Sequence, residues 1–137
     1  MKIIEESVTQ ETINNYKDEL FLFNEEMEYL QDKRIIKLID DNGQLIAISM
    51  YTDKMDKQDV ELYLGSEQEK YKDKLCNSIY LDAVTSIQTG FKSVDSIITY
   101  LKTKCAIIWC YSAVKAISFW KNRKDMQYIG ENIFISC

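Results

Sequence analysis

The stretch from residue 79 to residue 111 constrains the fold more than any other part of the chain. Its apolar residues predict a strand at residues 79–85, a helix at residues 93–104 and a second strand at residues 106–111. The second strand is apolar on both faces, which is typical of a central strand. Because two strands joined by a helix are usually parallel neighbours, the pattern predicts an α/β fold.

The strongest turn signal of the chain is Asp41-Asn42-Gly43, because Asn and Gly both tolerate the positive φ of a tight hairpin turn. Alternating apolar residues flank it at residues 34–39 and 44–51. These two segments are therefore predicted to form an antiparallel hairpin, and the sheet as a whole is predicted to be mixed.

The other elements are shorter or more ambiguous. An apolar helical stripe begins after Thr9 and is expected to end near Gln31 or Asp32, and a late helix has Ser112 as its expected N-cap. The remaining segments are a strand at residues 2–8, an extra or extended strand at residues 60–64, a short helix or loop at residues 66–75, and closing strands at residues 125–129 and 132–136 that meet at Gly130.

Length and composition exclude several classes of protein. A chain of 137 residues without a linker or repeat is expected to be a single domain, residues 1–137. Its net charge of −5 disfavours a nucleic-acid partner. Histidine is absent, which excludes a histidine base or metal ligand, and no metal site is expected from the four cysteines. With neither a signal peptide nor a membrane-spanning segment, the expected location is the cytoplasm.

The loop after residue 86 has the composition of an anion site. A helix that starts directly after a strand presents backbone N–H groups and a partial positive charge at its N-terminus. Gly90 would let a phosphate approach the backbone, Lys92 would add a charge, and Ser93 and Ser96 would add hydroxyl donors.

The whole chain resembles the GNAT superfamily of acetyltransferases, which acetylate amines with acetyl-CoA. The resemblance rests on the order of elements, on LDAVTSIQTGFKSVDSIITYL at residues 81–101 and on AVKAISFWKNR at residues 113–123. It implies a centrally splayed, mixed β-sheet flanked by helices in the order β-α-β-β-β-α-β-α-β-β. It also implies an N-acetyltransferase that passes an acetyl group from acetyl-CoA, its cosubstrate, to a primary amine by direct attack.

The resemblance implies roles for particular residues. The pantetheine arm would pair with the backbone of Val84, Thr85 and Ser86, and the pyrophosphate would lie on the loop and first helical turn. The residues of that second segment are Thr89, Gly90, Phe91, Lys92, Ser93 and Val94. In the absence of histidine, Asp82 is the leading candidate for the general base and Tyr111 for the acid.

Several positions depart from the family pattern, so an alternative stays open. Lys92 and Val94 stand where the family usually has glycines, Trp120 replaces a tyrosine acid, and Ala113 replaces an asparagine that helps to hold the cofactor. The alternative is a catalytically inactive GNAT-fold protein that binds CoA or a protein partner, and a third interpretation is an unrelated α/β domain. A homodimer paired through the closing strands is a further expectation, and the acceptor is not identified.

Overall fold

A computed structural model describes residues 1–22, 30, 32–87 and 92–136. These residues form seven β-strands, at Lys2–Ser7 (β1), Arg34–Ile39 (β2), Leu45–Thr52 (β3), Ile79–Ser86 (β4), Ile108–Tyr111 (β5), Met126–Tyr128 (β6) and Ile133–Ser136 (β7). They form five α-helices, at Gln10–Tyr16 (α1), Lys57–Tyr63 (α2), Lys72–Leu75 (α3), Lys92–Lys104 (α4) and Ile117–Lys121 (α5), with 3₁₀ turns at Ser66–Tyr71 and Val114–Ala116.

The chain divides into two compact units. The first unit comprises Met1–Thr52 and Asp82–Tyr100, and the second comprises Asp53–Leu81 and Leu101–Cys137. Strand β4 begins in the second unit and ends in the first. That these units make up a single domain stays a prediction.

The first unit contains the predicted hairpin, and the structure confirms it. Strand β2 pairs antiparallel with both β1 and β3. At the turn, the Asp40 carboxylate accepts hydrogen bonds of 2.9 Å from the N–H groups of Asn42 and Gln44, and Gly43 adopts φ 80°. Ile87 at the end of β4 donates to the carbonyl of Ile46 at 2.8 Å, which joins β4 to the start of β3.

The first helix is shorter than predicted. Thr9 caps α1 by accepting a hydrogen bond from the Thr12 N–H at 3.2 Å, but the helix ends at Tyr16. The prediction of one continuous helix is wrong at residues 17–21, where Phe21 has φ 59°, a conformation that does not occur inside an α-helix. Ile13 and Leu20 of the stripe are nevertheless buried in the core of this unit. The rest of the predicted stripe, at residues 23–29 and 31, lies outside the described residues.

The second unit contains the parallel pair. Strand β4 pairs parallel with β5 through Ile79–Ile108 and Tyr80–Trp109, and β5 also pairs antiparallel with β7, which pairs with β6. The described ladder with β5 ends at Tyr80, whereas β4 continues to Ser86. A parallel ladder as short as this one is what the expected splay between two central strands would produce.

Two local predictions in the second unit are wrong. Residues 60–64 do not form a strand: residues 60–63 belong to α2 and Leu64 follows its end. The Asp56 carboxylate caps this helix by accepting from the Asp59 N–H at 2.8 Å. Ser112 is not an N-cap: its hydroxyl donates to the Ala113 carbonyl, and a 3₁₀ turn begins at Val114. The short helix predicted between residues 66 and 75 is present as a 3₁₀ turn followed by α3.

The core of the second unit is rich in aromatic side chains. Trp109 is fully buried and packs against Tyr80 with ring centroids 4.7 Å apart. Trp120 is also buried and packs against Phe119 and Phe134. Both tryptophans therefore belong to the core. Within the described residues, no helix is both long and apolar enough to cross a lipid bilayer.

Candidate functional site

Strand β4 changes character at Asp82. Its first residues, Ile79, Tyr80 and Leu81, are buried, whereas the residues from Asp82 to Ser86 are half-buried. The change follows directly on the end of the parallel ladder at Tyr80. Asp82 and residues 84–86, the predicted site residues of the strand, thus follow the described ladder with β5.

Asp82 lies at the centre of a three-residue polar cluster in the first unit. Lys33 Nζ is 2.6 Å from Asp82 Oδ1, and the Thr52 hydroxyl donates to Asp82 Oδ2 at 2.8 Å. Lys33 also donates to the Thr52 hydroxyl at 2.8 Å, which closes the ring. The Asp82 side chain is only 9% exposed, and a carboxyl group at this depth requires polar partners such as the Lys33 ammonium group and the Thr52 hydroxyl.

Lys33 and Thr52 were not among the predicted site residues. Lys33 stands just before β2 and Thr52 is the last residue of β3, so neither is near Asp82 in the sequence. The signal that would have found a partner is Asp82 itself, since a charged residue within an apolar strand requires a counter-charge or several hydrogen bonds.

The end of β4 is held in place by its side chains. The Thr85 hydroxyl donates to the Glu19 carbonyl at 2.6 Å, in the turn that follows α1. The hydroxyl groups of Ser86 and Ser93 lie 3.0 Å apart and join the last residue of β4 to the first turn of α4. Val84 and Ser86 are half-buried. The structure thus brings the predicted residues Ser86 and Ser93 together.

Helix α4 begins one residue earlier than predicted, at Lys92, and runs for 13 residues to Lys104. Ser93 and Val94 of its first turn are buried, so the Val94 side chain points into the protein. Thr89, Gly90 and Phe91 of the predicted loop lie outside the described residues.

Tyr111, the predicted acid, ends β5 in the second unit. Its side chain is 52% exposed, and its backbone pairs with Ile133 of β7. Asp82 belongs to the first unit, so the two predicted catalytic residues are held by different parts of the chain.

Comparisons with known proteins agree with this architecture. No protein-family model and no curated protein sequence matches the chain. A solved structure described as histone acetyltransferase HPA2 and related acetyltransferase, from Corynebacterium glutamicum ATCC 13032, is similar over 95% of this chain and 87% of its own, with a TM-score of 0.55 and 12% identity.

A second solved structure, AtaT complexed with acetyl-methionyl-tRNAfMet, has a TM-score of 0.47 and 12% identity, and covers 98% of this chain and 94% of its own. The first similarity, together with the seven strands and their order, confirms the predicted fold class: a GNAT-like mixed α/β sheet flanked by helices.

Proposed function

We propose that this protein is an N-acetyltransferase that passes an acetyl group from acetyl-CoA to a primary amine by direct attack in a ternary complex. The observation that carries the proposal is the side-chain contact between the end of β4 and the start of α4. The strand continues past its parallel ladder to Ser86, and the Ser86–Ser93 contact ties its end to the N-terminal turn of a 13-residue helix. The resemblance of residues 81–101 to the GNAT strand, pyrophosphate loop and helix implies that the cosubstrate binds along this strand and the start of this helix.

The part of β4 beyond its described ladder with β5 suits the pantetheine arm. An extended amide chain adds to a sheet edge as an extra strand would, through backbone N–H and C=O groups. In the proposal, Val84, Thr85 and Ser86 provide those groups. The Thr85–Glu19 hydrogen bond engages the side chain of Thr85 rather than its backbone, so it fixes the strand without occupying the edge.

The diphosphate suits the segment from Thr89 to Val94. Helix N-termini favour anions because their N–H groups point outward and the helix dipole is positive there. The burial of Val94 removes its side chain from the solvent side of the helix start, so the valine does not obstruct a phosphate group. In the proposal, Gly90 lets a phosphate group approach the backbone and Lys92 adds a positive charge.

The reaction forms a C–N bond and breaks the thioester C–S bond. The neutral amine attacks the thioester carbon, a carboxylate accepts the proton from nitrogen, and the CoA thiolate leaves and takes up a proton. In the proposal, Asp82 is the base and Tyr111 the acid. Asp82 Oδ1 lies 2.6 Å from Lys33 Nζ, so the carboxyl group is within reach of an amine held at this position.

The second candidate function is a GNAT-fold module that binds CoA or a protein without catalysis. Trp120, at the position of the family's tyrosine acid, is buried against Phe134 and has no acidic proton to donate. Asp95 adds a negative charge in the first turn of α4, which disfavours an anion there.

Calorimetric titration with acetyl-CoA tests the proposal. The wild-type protein should bind acetyl-CoA, and Gly90→Val should abolish binding, whereas Thr99→Ala, at an exposed position of α4, should leave it intact. Release of CoA thiol in the presence of spermidine or a lysine peptide then measures transfer. Binding without any amine-dependent thiol release would support a CoA-binding module. No binding at millimolar acetyl-CoA would contradict both the enzyme and the CoA-binding module and would leave a protein-interaction module.

A further inference from the structure

The Lys33 side chain provides a primary amine that is already bound to the proposed base. Its Nζ atom contacts Asp82 Oδ1 at 2.6 Å and the Thr52 hydroxyl at 2.8 Å. The lysine side chain is 21% exposed and the aspartate 9% exposed. The amine is therefore fixed by two partners and partly removed from water, as an acceptor amine would be before attack.

The position of this amine along β4 matches the proposed path of the cosubstrate. Asp82 precedes Val84 by two residues, which is about 7 Å along a strand. Val84 is the first residue whose backbone is proposed to pair with the pantetheine arm, so the thioester would lie near this part of the strand. The four methylene groups of a lysine give its amine several ångströms of reach from the carboxylate.

Other lysines of the chain also pair with carboxylates but lack this position. Lys102 Nζ lies 2.6 Å from Asp125 Oδ2, the same distance as in the Lys33 pair, between α4 and the segment before β6. Lys37 pairs with Glu6 at 3.3 Å between β2 and β1. Both pairs join a lysine to a carboxylate, as the Lys33–Asp82 pair does, but neither involves a residue of β4.

From this geometry we infer that Lys33 is an internal acetyl acceptor: the protein acetylates its own Lys33 when acetyl-CoA is bound. The inference rests on the proposed function and names a substrate amine for that same site. The ammonium proton of Lys33 is lost to Asp82 and on to water, the amine attacks the thioester carbon, and CoA leaves as the thiol. The products are Nε-acetyl-lysine, CoA and one proton.

The consequence for the site follows from charge. An acetylated Lys33 carries no positive charge and only one N–H donor, so it no longer neutralises Asp82. Acetylation therefore removes one positive charge from the surroundings of the Asp82 carboxyl group.

Site-resolved mass spectrometry of the purified protein after incubation with acetyl-CoA tests this inference. The peptide containing Lys33 should gain one acetyl group on the order of 100-fold faster than the peptide containing Lys102, because only Lys33 would lie beside the bound thioester. The rate constant should not depend on protein concentration, because the acceptor lies in the same molecule. Asp82→Asn should reduce the Lys33 rate to the Lys102 level, and Lys102→Arg should leave the Lys33 rate unchanged.

The outcomes distinguish failure of the inference from failure of the proposed function. If acetyl-CoA binds in the calorimeter but Lys33 is modified no faster than Lys102, the inference is overturned and the acetyltransferase proposal stands. If acetyl-CoA does not bind, both are overturned. In urea-unfolded protein, we expect acetyl-CoA to modify both lysines at the same slow rate. If the fast reaction at Lys33 persists after unfolding, it does not depend on the folded site and the inference is overturned.

Discussion

The side chain of Gln68 donates a hydrogen bond of 3.0 Å to the carbonyl oxygen of Ile129, across 61 residues of sequence. Its amide oxygen accepts from the Gly65 N–H at 3.1 Å, and the side chain is fully buried. One glutamine thus joins the 3₁₀ turn after α2 to the turn between β6 and β7. Its neighbours in the sequence, Glu67, Glu69 and Lys70, are charged and exposed.

We therefore expect Gln68→Leu to destabilise the protein by about 1–3 kcal/mol, because it removes the hydrogen-bond partner of the Gly65 N–H and of the Ile129 carbonyl, both in half-buried residues. Urea denaturation provides the measurement. The matched control is Glu67→Leu, an exposed neighbour whose change should cost no more than about 0.5 kcal/mol. Equal effects of the two substitutions would contradict a structural role for the buried amide.

Two glycines with positive φ allow a second comparison. Gly130 has φ 93°, and a Cβ atom added there would lie 2.7 Å from the Gln68 amide nitrogen. Gly43 has φ 80°, and a Cβ atom there would have no neighbour within 4 Å. Both alanine variants carry the cost of a left-handed conformation, about 1 kcal/mol, but only Gly130→Ala also displaces a buried side chain.

Thermal unfolding should consequently show a larger loss for Gly130→Ala than for Gly43→Ala. The double variant Gly130→Ala with Gln68→Ala separates the two causes, because shortening residue 68 removes the clash and leaves the strain. A loss at Gly43 as large as that at Gly130 would show that backbone strain alone accounts for both.

Local sequence signals predicted the elements whose cause is local. The Asp41-Asn42-Gly43 turn needs only its own residues, and the apolar run before Tyr111 identifies a central strand by composition. The helix at residues 57–63 was misassigned because Val60, Leu62 and Leu64 alternate as a strand would. In the structure Val60 is buried and Leu62 is 81% exposed, so helical packing overrides the apparent period of two.

The candidate site was only partly predictable for a related reason. Asp82 could be selected from β4 alone, but its pairing with Lys33 and Thr52 depends on how β2, β3 and β4 are aligned. That alignment is set by tertiary packing. The left-handed conformation of Phe21, in the turn after α1, also has no signal in the sequence. No spacing in the sequence encodes either feature.

Acid should weaken the second unit through Asp125. Hydrogen bonds from Arg123 and Lys102 lower the pKa of Asp125 to about 2, against about 3.9 in an unfolded chain. A lowered folded-state pKa gives stability that is present above about pH 4 and is lost as the pH falls through 2. Because the side chain is a third exposed, we expect a contribution of about 1 kcal/mol at neutral pH.

The measurement is the free energy of unfolding of wild type and Asp125→Asn as a function of pH. The difference between them should be constant from pH 5 to pH 7 and should shrink toward zero near pH 2. Asp53→Asn, at an exposed position, serves as the control and should show no such convergence. A difference that persists at pH 2 would contradict the ion-pair explanation.

Cys110 should be the least reactive thiol among the described cysteines. Burial in β5 raises its pKa to about 12, so almost no thiolate is present at pH 8. Cys76 and Cys105 are partly exposed. In native protein treated with iodoacetamide, mass spectrometry should find Cys76 and Cys105 alkylated and Cys110 intact, and unfolding in urea should make the three equally reactive. Early alkylation of Cys110 would contradict its burial.

The proposed base provides the most direct test of catalysis. Asp82→Asn keeps the shape of the side chain but cannot accept a proton from an amine, so kcat for amine acetylation should fall by about 100- to 10,000-fold. The Kd for acetyl-CoA should not change, because the proposed contacts of the cosubstrate are with the backbone from Val84 onward. Asp125→Asn, which breaks a lysine pair of the same 2.6 Å length outside the site, should leave kcat unchanged. Unfolding curves of both variants separate loss of fold from loss of chemistry, and a kcat within twofold of wild type for Asp82→Asn would assign the proton transfer to another group.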